Sequence, residues 1–166
     1  IRDAMIASIT LNIFHKHADR VQMANIAQMV NVLQSMILTD GEKMITTPTY
    51  HVFDMYQNHQ DALLIDAVGE TSDTISYTAS IKENTLTVSL CNYSITNEEE
   101  VVVEINDEKF GNLEAWILAA KTTDAHNTFE VPNNVQKEIY SGYSIDETKL
   151  TLKMPPMSVI TIVAKS

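Results

Sequence analysis

The sequence has 166 residues, enough for one domain or for one domain and a piece of another, and 45% of them are hydrophobic, the usual share for a globular protein. Its formal net charge of −11 repels phosphate backbones and anionic lipid headgroups, so we expect no nucleic-acid or membrane partner. A neutral ligand such as a sugar carries no such penalty. The single cysteine, Cys91, excludes an internal disulfide and favours a reducing compartment, so we expect the cytoplasm rather than secretion.

The first part of the chain has a helical pattern. Met5, Ile9 and Ile13 recur every four residues and predict a helix over residues 2–18. Residues 21–28 fit either a buried strand or the start of a second helix, and periodicity alone does not decide between the two.

A hairpin and another helix are predicted next. Asp40-Gly41 lies between two apolar runs, which is a strong signal for a two-residue hairpin turn. Thr47 suits the N-cap of a helix and Pro48 its first position, where the missing N–H costs nothing. This helix is predicted to end near Gln60.

Beyond residue 60 the pattern changes to short strands separated by polar turns. Leu86, Val88 and Leu90 alternate with polar residues, as expected for a strand with one buried face. The candidate strands are 62–68, 74–82, 85–93, 99–106, 113–121, 136–145, 148–153 and 157–164. Many short strands at this spacing indicate an antiparallel β-sandwich, with a domain boundary between 1–60 and 61–166.

The titratable residues do not predict a reaction centre. Acids such as Asp40 and Glu42 lie in turns or beside other charges, whereas a glycosidase needs two carboxylates across a sugar ring. His15 and His17 are two residues apart and fall on different helix faces, unlike the i, i+4 spacing of a metal clamp. Cys91 is predicted to be a buried, inert thiol. The residues predict no catalytic group, no cofactor site and no metal site in this chain.

Aromatic residues in the β half are candidates for a sugar-stacking platform, because flat rings pack on sugar faces. They are Tyr77, Tyr93, Trp116, Tyr140 and Tyr143. Core packing is the commoner role for such rings, so the sequence favours burial over ligand binding for each of them.

Two regions of the sequence, the second made of two separate segments, carry information beyond composition. The segment RVQMANIAQMVNVLQSMILTDGEKMITTPTYHVFDMYQNHQ, residues 20–60, resembles the segment that closes the catalytic barrel of α-L-arabinofuranosidases of glycoside hydrolase family 51. The segments DAHNTFEVPNNV (124–135) and MPPMSVITI (154–162) resemble parts of that family's C-terminal β-sandwich. Together these segments follow the family's order through nearly the whole chain.

The resemblance implies a fold and a site. Residues 1–60 would be the end of a (β/α)8 barrel, with 21–28 as its eighth strand, and residues 61–166 a jelly-roll-like sandwich. Gln28 matches the glutamine that hydrogen-bonds the bound arabinofuranose, and an amide can both donate to and accept from sugar hydroxyls. Asn25 and Asn31 flank it as possible supporting residues.

The resemblance also implies an activity for a longer parent protein. That protein would be an exo-acting, retaining α-L-arabinofuranosidase that removes terminal arabinofuranosyl residues from arabinose-containing glycans, and we expect it to be a homo-oligomer. The family's two catalytic glutamates come from barrel strands four and seven, which would precede Ile1. We therefore expect the chain alone to be inactive. Two alternatives remain open, a carbohydrate-binding module with a row of exposed aromatics and a purely structural or oligomerisation module.

Overall fold

The structure is a computed structural model that describes residues 1–69, 72–105 and 111–165. Its first part contains two helices and a hairpin. They are helix α1 (Arg2–Lys16), strands β1 (Ile37–Asp40) and β2 (Lys43–Thr46), helix α2 (Pro48–Met55) and a 3-10 turn at Gln57–His59. Both predicted helices are confirmed, although the second ends earlier and continues as the 3-10 turn. No helix among the described residues is long and apolar enough to cross a membrane.

The predicted hairpin is present, with its turn one residue later than expected. Asp40 pairs with Lys43, so Gly41 and Glu42 are the two central residues. Gly41 has φ +57°, a left-handed conformation that costs glycine little. Thr47 has the extended backbone of an N-cap, but its hydroxyl donates to the Ser35 carbonyl and its oxygen accepts no hydrogen bond from a helix N–H. The hydroxyl therefore holds the base of the hairpin.

Residues 21–28 form no β-strand, and the strand assignment implied by the resemblance is wrong for this structure. The segment leaves α1 through a hydrogen bond from the Val21 N–H to the His17 carbonyl. The first strand-like pairing is a parallel bridge between Val30 and Ile37. A strand needs neighbours for its backbone N–H and C=O groups, and none of the described strands lies beside 21–28.

In the second part of the chain, the described residues form nine strands. They are β3 (Leu63–Ile65), β4 (Ile75–Lys82), β5 (Thr85–Asn92), β6 (Glu99–Glu104), β7 (Asn112–Ala119), β8 (Glu138–Ile139), β9 (Tyr143–Asp146), β10 (Lys149–Met154) and β11 (Ser158–Lys165). The single strand predicted at 136–145 is in fact two short strands, β8 and β9. They belong to different sheets, because the chain crosses from one sheet to the other between them.

The strands form an antiparallel sandwich, as predicted. The large sheet has the order β3-β4-β5-β11-β7-β8 and the small sheet the order β6-β10-β9. The apolar face of β5, with Leu86, Val88 and Leu90, points toward the small sheet. The buried core between the sheets consists of Ile75, Ala79, Val88, Leu90, Ala115, Tyr140, Leu150, Leu152, Met154, Ile160 and Ile162. The chain is therefore mainly β, with a jelly-roll-like sandwich preceded by helices.

The other face of the large sheet is covered by α1 and α2. This second core consists of Ile1, Ala4, Met5, Val52, Met55, Tyr56, Cys91, Leu118, Val135, Met157 and Val159. The large sheet is thus the middle layer of three. The predicted boundary between residues 60 and 61 separates two segments that share one continuous core.

Candidate functional site

Gln28 lies on the surface, at the end of the irregular segment that follows α1. Its side chain is exposed and makes no hydrogen bond to any residue in the described part of the chain. Its amide is therefore free to meet hydroxyl groups of a ligand, both as a donor and as an acceptor.

Asn31 joins the Gln28 segment to the hairpin. Its Nδ2 donates to the Thr39 carbonyl at 3.2 Å and lies 2.8 Å from Thr39 Oγ1, and its Oδ1 accepts from the Thr39 N–H at 2.7 Å. Asn31 has φ +55°, which asparagine tolerates better than most residues. Next to it, the Met29 carbonyl accepts from the N–H groups of Met36 and Ile37. The backbone directly after Gln28 is thereby fixed against β1.

Asn25 has a different environment. Its side chain is exposed and lies in a shallow groove beside α1, where Phe14 and Phe53 form part of the wall. It makes no hydrogen bond within the part of the chain that the structure describes. Of the two asparagines that flank Gln28, only Asn31 thus holds the segment through hydrogen bonds.

The hairpin is in turn fixed to the sandwich by Asn127. This buried side chain donates from Nδ2 to the Thr46 carbonyl at 2.8 Å and to the Val135 carbonyl at 3.0 Å, and its Oδ1 accepts from the Val135 N–H at 2.7 Å. One amide therefore closes the loop between β7 and β8 and connects it to β2. Asn127 belongs to the segment 124–135, but no local pattern in the sequence indicates this role.

A buried hydrogen-bond network joins α1 to α2. The Tyr56 hydroxyl donates to Asn12 Oδ1 at 2.8 Å and lies 2.7 Å from Ser8 Oγ, and Asn12 Nδ2 donates to Ser76 Oγ on β4 at 3.0 Å. Burial raises the pKa of the Tyr56 hydroxyl well above its usual value. The network remains neutral and links both helices to the large sheet.

His59 continues this polar layer across the sheet. Its Nδ1 lies 2.7 Å from Ser80 Oγ and its Nε2 2.9 Å from Ser89 Oγ, which is 2.8 Å from Thr161 Oγ1. Burial, and secondarily the neighbouring His15, lowers the pKa of His59 from 6.5 to about 3. His59 is therefore a neutral histidine with a structural role in this layer.

The described residues contain no arrangement typical of a catalytic or metal centre. No Asp or Glu among residues 1–69, 72–105 and 111–165 is buried, whereas a general acid is commonly tuned by apolar surroundings. In the same ranges no three His, Cys, Asp or Glu side chains converge as a metal site would require. Cys91 is fully buried, as predicted, and burial raises the pKa of its thiol to about 12.

The candidate aromatics do not form a platform. Tyr140 is buried, Tyr77, Trp116 and Tyr143 are half-buried, and Tyr93 is the one exposed ring of the five, which does not make a row. The exposed face of the small sheet carries Glu100, Val102, Glu104, Ser144, Asp146, Lys149, Thr151 and Lys153. No aromatic ring lies on this face within the described strands, so the structure offers no support there for sugar stacking.

A known protein family matches most of this chain. The family profile described as "Alpha-L-arabinofuranosidase C-terminal domain" matches residues 1–158. The chain belongs to this family. The match spans both sides of the predicted boundary at residue 60, as does the shared core.

Individual relatives of this arabinofuranosidase domain support the same family assignment. The chain is 40% identical, over 98% of its length, to an "Intracellular exo-alpha-L-arabinofuranosidase" of Bacteroides ovatus, and it covers 34% of that protein. A solved GH51 arabinofuranosidase from Xanthomonas axonopodis pv. citri has a TM-score of 0.87 and 33% identity, with 98% of this chain and 35% of that one covered. The arabinofuranosidase of Thermotoga maritima, solved as an arabinose complex, has a TM-score of 0.80 at 22% identity, with 98% of this chain and 38% of that one covered. At this identity the similarity shows the fold alone. The chain thus spans about a third of the length of these relatives.

These matches confirm the resemblance to glycoside hydrolase family 51 and identify the chain with the C-terminal part of such proteins. The structure shows where two of the resembling segments lie. Residues 124–135 belong to the loop that Asn127 anchors, and residues 154–162 run from the end of β10 through the first part of β11, one of the two central strands of the large sheet. Both segments therefore have structural roles in this arabinofuranosidase domain.

Proposed function

We propose that this chain is part of an exo-acting, retaining α-L-arabinofuranosidase that removes terminal arabinofuranosyl residues from arabinose-containing glycans. The observation that carries the proposal is the 40% identity, over nearly the whole chain, to an exo-α-L-arabinofuranosidase. The exposed, hydrogen-bond-free side chain of Gln28 supports it, because a sugar-binding amide must have its donors and acceptor available.

In this proposal the chain contributes binding and support, while the reacting carboxylates come from elsewhere in the complete enzyme. One carboxylic acid would protonate the leaving oxygen while a second carboxylate attacks the anomeric carbon, and the resulting covalent intermediate would then be hydrolysed. Gln28 would hydrogen-bond the arabinofuranosyl hydroxyls and hold the sugar in its binding site. Residues 1–60 would be the end of the barrel, and the sandwich would support them through the shared core.

The proposal also covers the binding partners, the location and the self-association of the complete enzyme. Its partners are neutral glycans rather than nucleic acids or membranes, in keeping with the charge of −11. We place it in the cytoplasm, because the relative from Bacteroides ovatus is named intracellular and the sequence has a single buried cysteine. Self-association of the complete enzyme is a further part of the proposal.

The experiment compares the complete enzyme with the 166-residue chain. Hydrolysis of an aryl α-L-arabinofuranoside and release of arabinose from arabino-oligosaccharides should be measured for both, after circular dichroism has shown that both are folded. We expect turnover only for the complete enzyme, with retention of the anomeric configuration in the first product seen by NMR. Absence of arabinofuranosidase activity in the complete enzyme refutes the proposed activity. Turnover by the repurified 166-residue chain refutes the proposal that the reacting carboxylates lie outside it.

A further inference from the structure

The backbone that follows Gln28 is held in one unusual geometry. Asn31 and Gln34 both have left-handed backbones, with φ of +55° and +60°, in a loop only a few residues long. The loop is closed by hydrogen bonds from the N–H groups of Met36 and Ile37 to the Met29 carbonyl and from the Asn31 N–H to the Ile37 carbonyl. Strained backbone of this kind persists where the surrounding contacts fix it, and it concentrates at binding sites.

Asn31 is the one side chain of this loop that reaches the hairpin with several hydrogen bonds. Its amide engages the N–H, the carbonyl and the hydroxyl of Thr39 at 2.7 to 3.2 Å. Yet the residue is exposed, so these bonds contribute little to a buried core. Their geometric effect is specific, because they set where the segment ending in Gln28 lies relative to β1.

The hairpin itself cannot shift freely. The Thr47 N–H donates to the Met36 carbonyl at its base, and Asn127 connects the Thr46 carbonyl to the sandwich. A continuous series of hydrogen bonds therefore runs from the β7–β8 loop through the hairpin to the residues directly after Gln28.

We propose that Asn31 is a positioning residue that holds Gln28 in place for the sugar, and that the sandwich fixes this arrangement through Asn127 and the hairpin. The inference rests on the proposed function, since Gln28 must bind substrate for its position to matter. Asn31 acts through the backbone and the hairpin and need not touch the substrate.

The test is a double-mutant cycle in the complete enzyme, with kcat and KM measured on an aryl α-L-arabinofuranoside. We expect Asn31→Ala to raise KM by about tenfold with a smaller effect on kcat. The misplaced Gln28 amide would lose a hydrogen bond that it makes to the sugar equally in the ground state and in the transition state. The variant Gln28→Ala should have at least as large an effect. The double variant should be no worse than Gln28→Ala alone, because Asn31 has nothing left to position.

Matched variants separate positioning from folding. Leu33→Ala truncates an exposed side chain of the same loop whose backbone is not left-handed, and should leave kcat/KM unchanged. Asn31→Asp keeps the acceptor for the Thr39 N–H and should recover part of the loss, whereas Asn31→Gly relieves the backbone and should not. If Asn31→Ala does not fold, the glycine variant takes its place in the cycle.

The outcomes distinguish this inference from the proposed function. Losses that add up in the double variant, or a normal KM for Asn31→Ala and Asn31→Gly, overturn the positioning role while the wild-type enzyme remains active. An inactive wild-type enzyme overturns the proposed function instead. The same cycle with Asn127→Ala should give a smaller, also non-additive rise in KM of about threefold. Additive effects of Asn127→Ala and Gln28→Ala would show that the sandwich does not position Gln28.

Discussion

The Tyr56 hydroxyl donates a buried hydrogen bond to Asn12 Oδ1, 2.8 Å away, and so joins the end of the second helix to the middle of the first. It also contacts Ser8 Oγ, and Asn12 extends the connection to Ser76 on the large sheet. Buried polar groups of this kind stabilise a fold only when every partner is satisfied. Their removal one at a time should therefore be costly.

Tyr56→Phe should lower the free energy of unfolding by about 1–3 kcal/mol, because it leaves Asn12 Oδ1 and Ser8 Oγ without this buried partner. Urea denaturation followed by circular dichroism measures the change. Tyr50→Phe is the control, since Tyr50 is half-buried and its hydroxyl has no hydrogen bond in the described part of the chain. Equal stability of the wild-type and Tyr56→Phe proteins would show that the network contributes nothing.

Acidification should destabilise the protein through His59. Its folded pKa, about 3, lies below the ordinary 6.5, so the unfolded state binds the proton more readily. The stabilisation is complete above pH 6.5 and is lost as the pH falls toward 3. Between pH 6.5 and pH 5 the loss should be about 2 kcal/mol. His15, whose pKa is also lowered by burial, adds to it in the same direction.

The measurement is a series of urea titrations from pH 7 to pH 5, a range that lies above the ordinary pKa of carboxyl groups. The His59→Gln variant should show a shallower dependence on pH than the wild-type protein. Parallel curves for the two proteins would argue against a neutral, buried His59.

Lys137 should stabilise the contact between α2 and the sandwich. It pairs with Asp54 on α2 and lies 5.5 Å from the centre of the Trp116 ring on β7, with both charged side chains largely shielded. Lys137→Met should cost about 1 kcal/mol, and less at high salt. Lys149→Met removes an exposed pair with Glu104 and should cost under about 0.5 kcal/mol. Thermal melts at two salt concentrations provide the comparison, and an equal effect of the two substitutions counts against the role of burial.

Asn127→Ala should destabilise the protein by roughly 2–3 kcal/mol, because the Val135 N–H and two carbonyls lose a buried partner. Asn134→Ala, in the same loop, removes one hydrogen bond from an exposed side chain to the His126 carbonyl and should cost under about 1 kcal/mol. Urea denaturation ranks the two variants. The reverse order would mean that Asn127 is not the anchor of the loop.

Cys91 should resist thiol reagents in the folded protein. Its side chain is fully buried and its pKa is raised to about 12, so the reactive thiolate is scarce. A disulfide reagent at neutral pH should label the native protein at least ~100-fold more slowly than the protein unfolded in urea. Rapid labelling of the native state would indicate that α1 separates from the sheet.

Much of the sandwich follows from local patterns. The alternation of Leu86, Val88 and Leu90 predicted both the strand and the face that enters the inter-sheet core. The same pattern gives Thr87 and Ser89 the opposite face, which sequence reasoning would place in solvent. In the structure both are buried, because α1 packs against β5 and Ser89 hydrogen-bonds His59 of the 3-10 turn on this face.

Other features depend on long-range contacts that periodicity does not encode. The burial of His59 requires Ser80 and Ser89, which are 21 and 30 residues away in sequence. The separation of β8 from β9 requires two different neighbouring strands. The role of Gln28 was accessible only through the resemblance, since an exposed glutamine has no distinguishing local pattern, and it stays a prediction.

The burial of the large sheet on both faces determines where the protein can be divided for expression. A recombinant product beginning at Asp61, the predicted start of the sandwich, would lack α1 and α2 and would present Cys91, Leu118 and Val159 to water. Exposed apolar area of this kind promotes aggregation. We expect that product to accumulate in inclusion bodies, whereas one that retains both helices should be recovered from the clarified lysate.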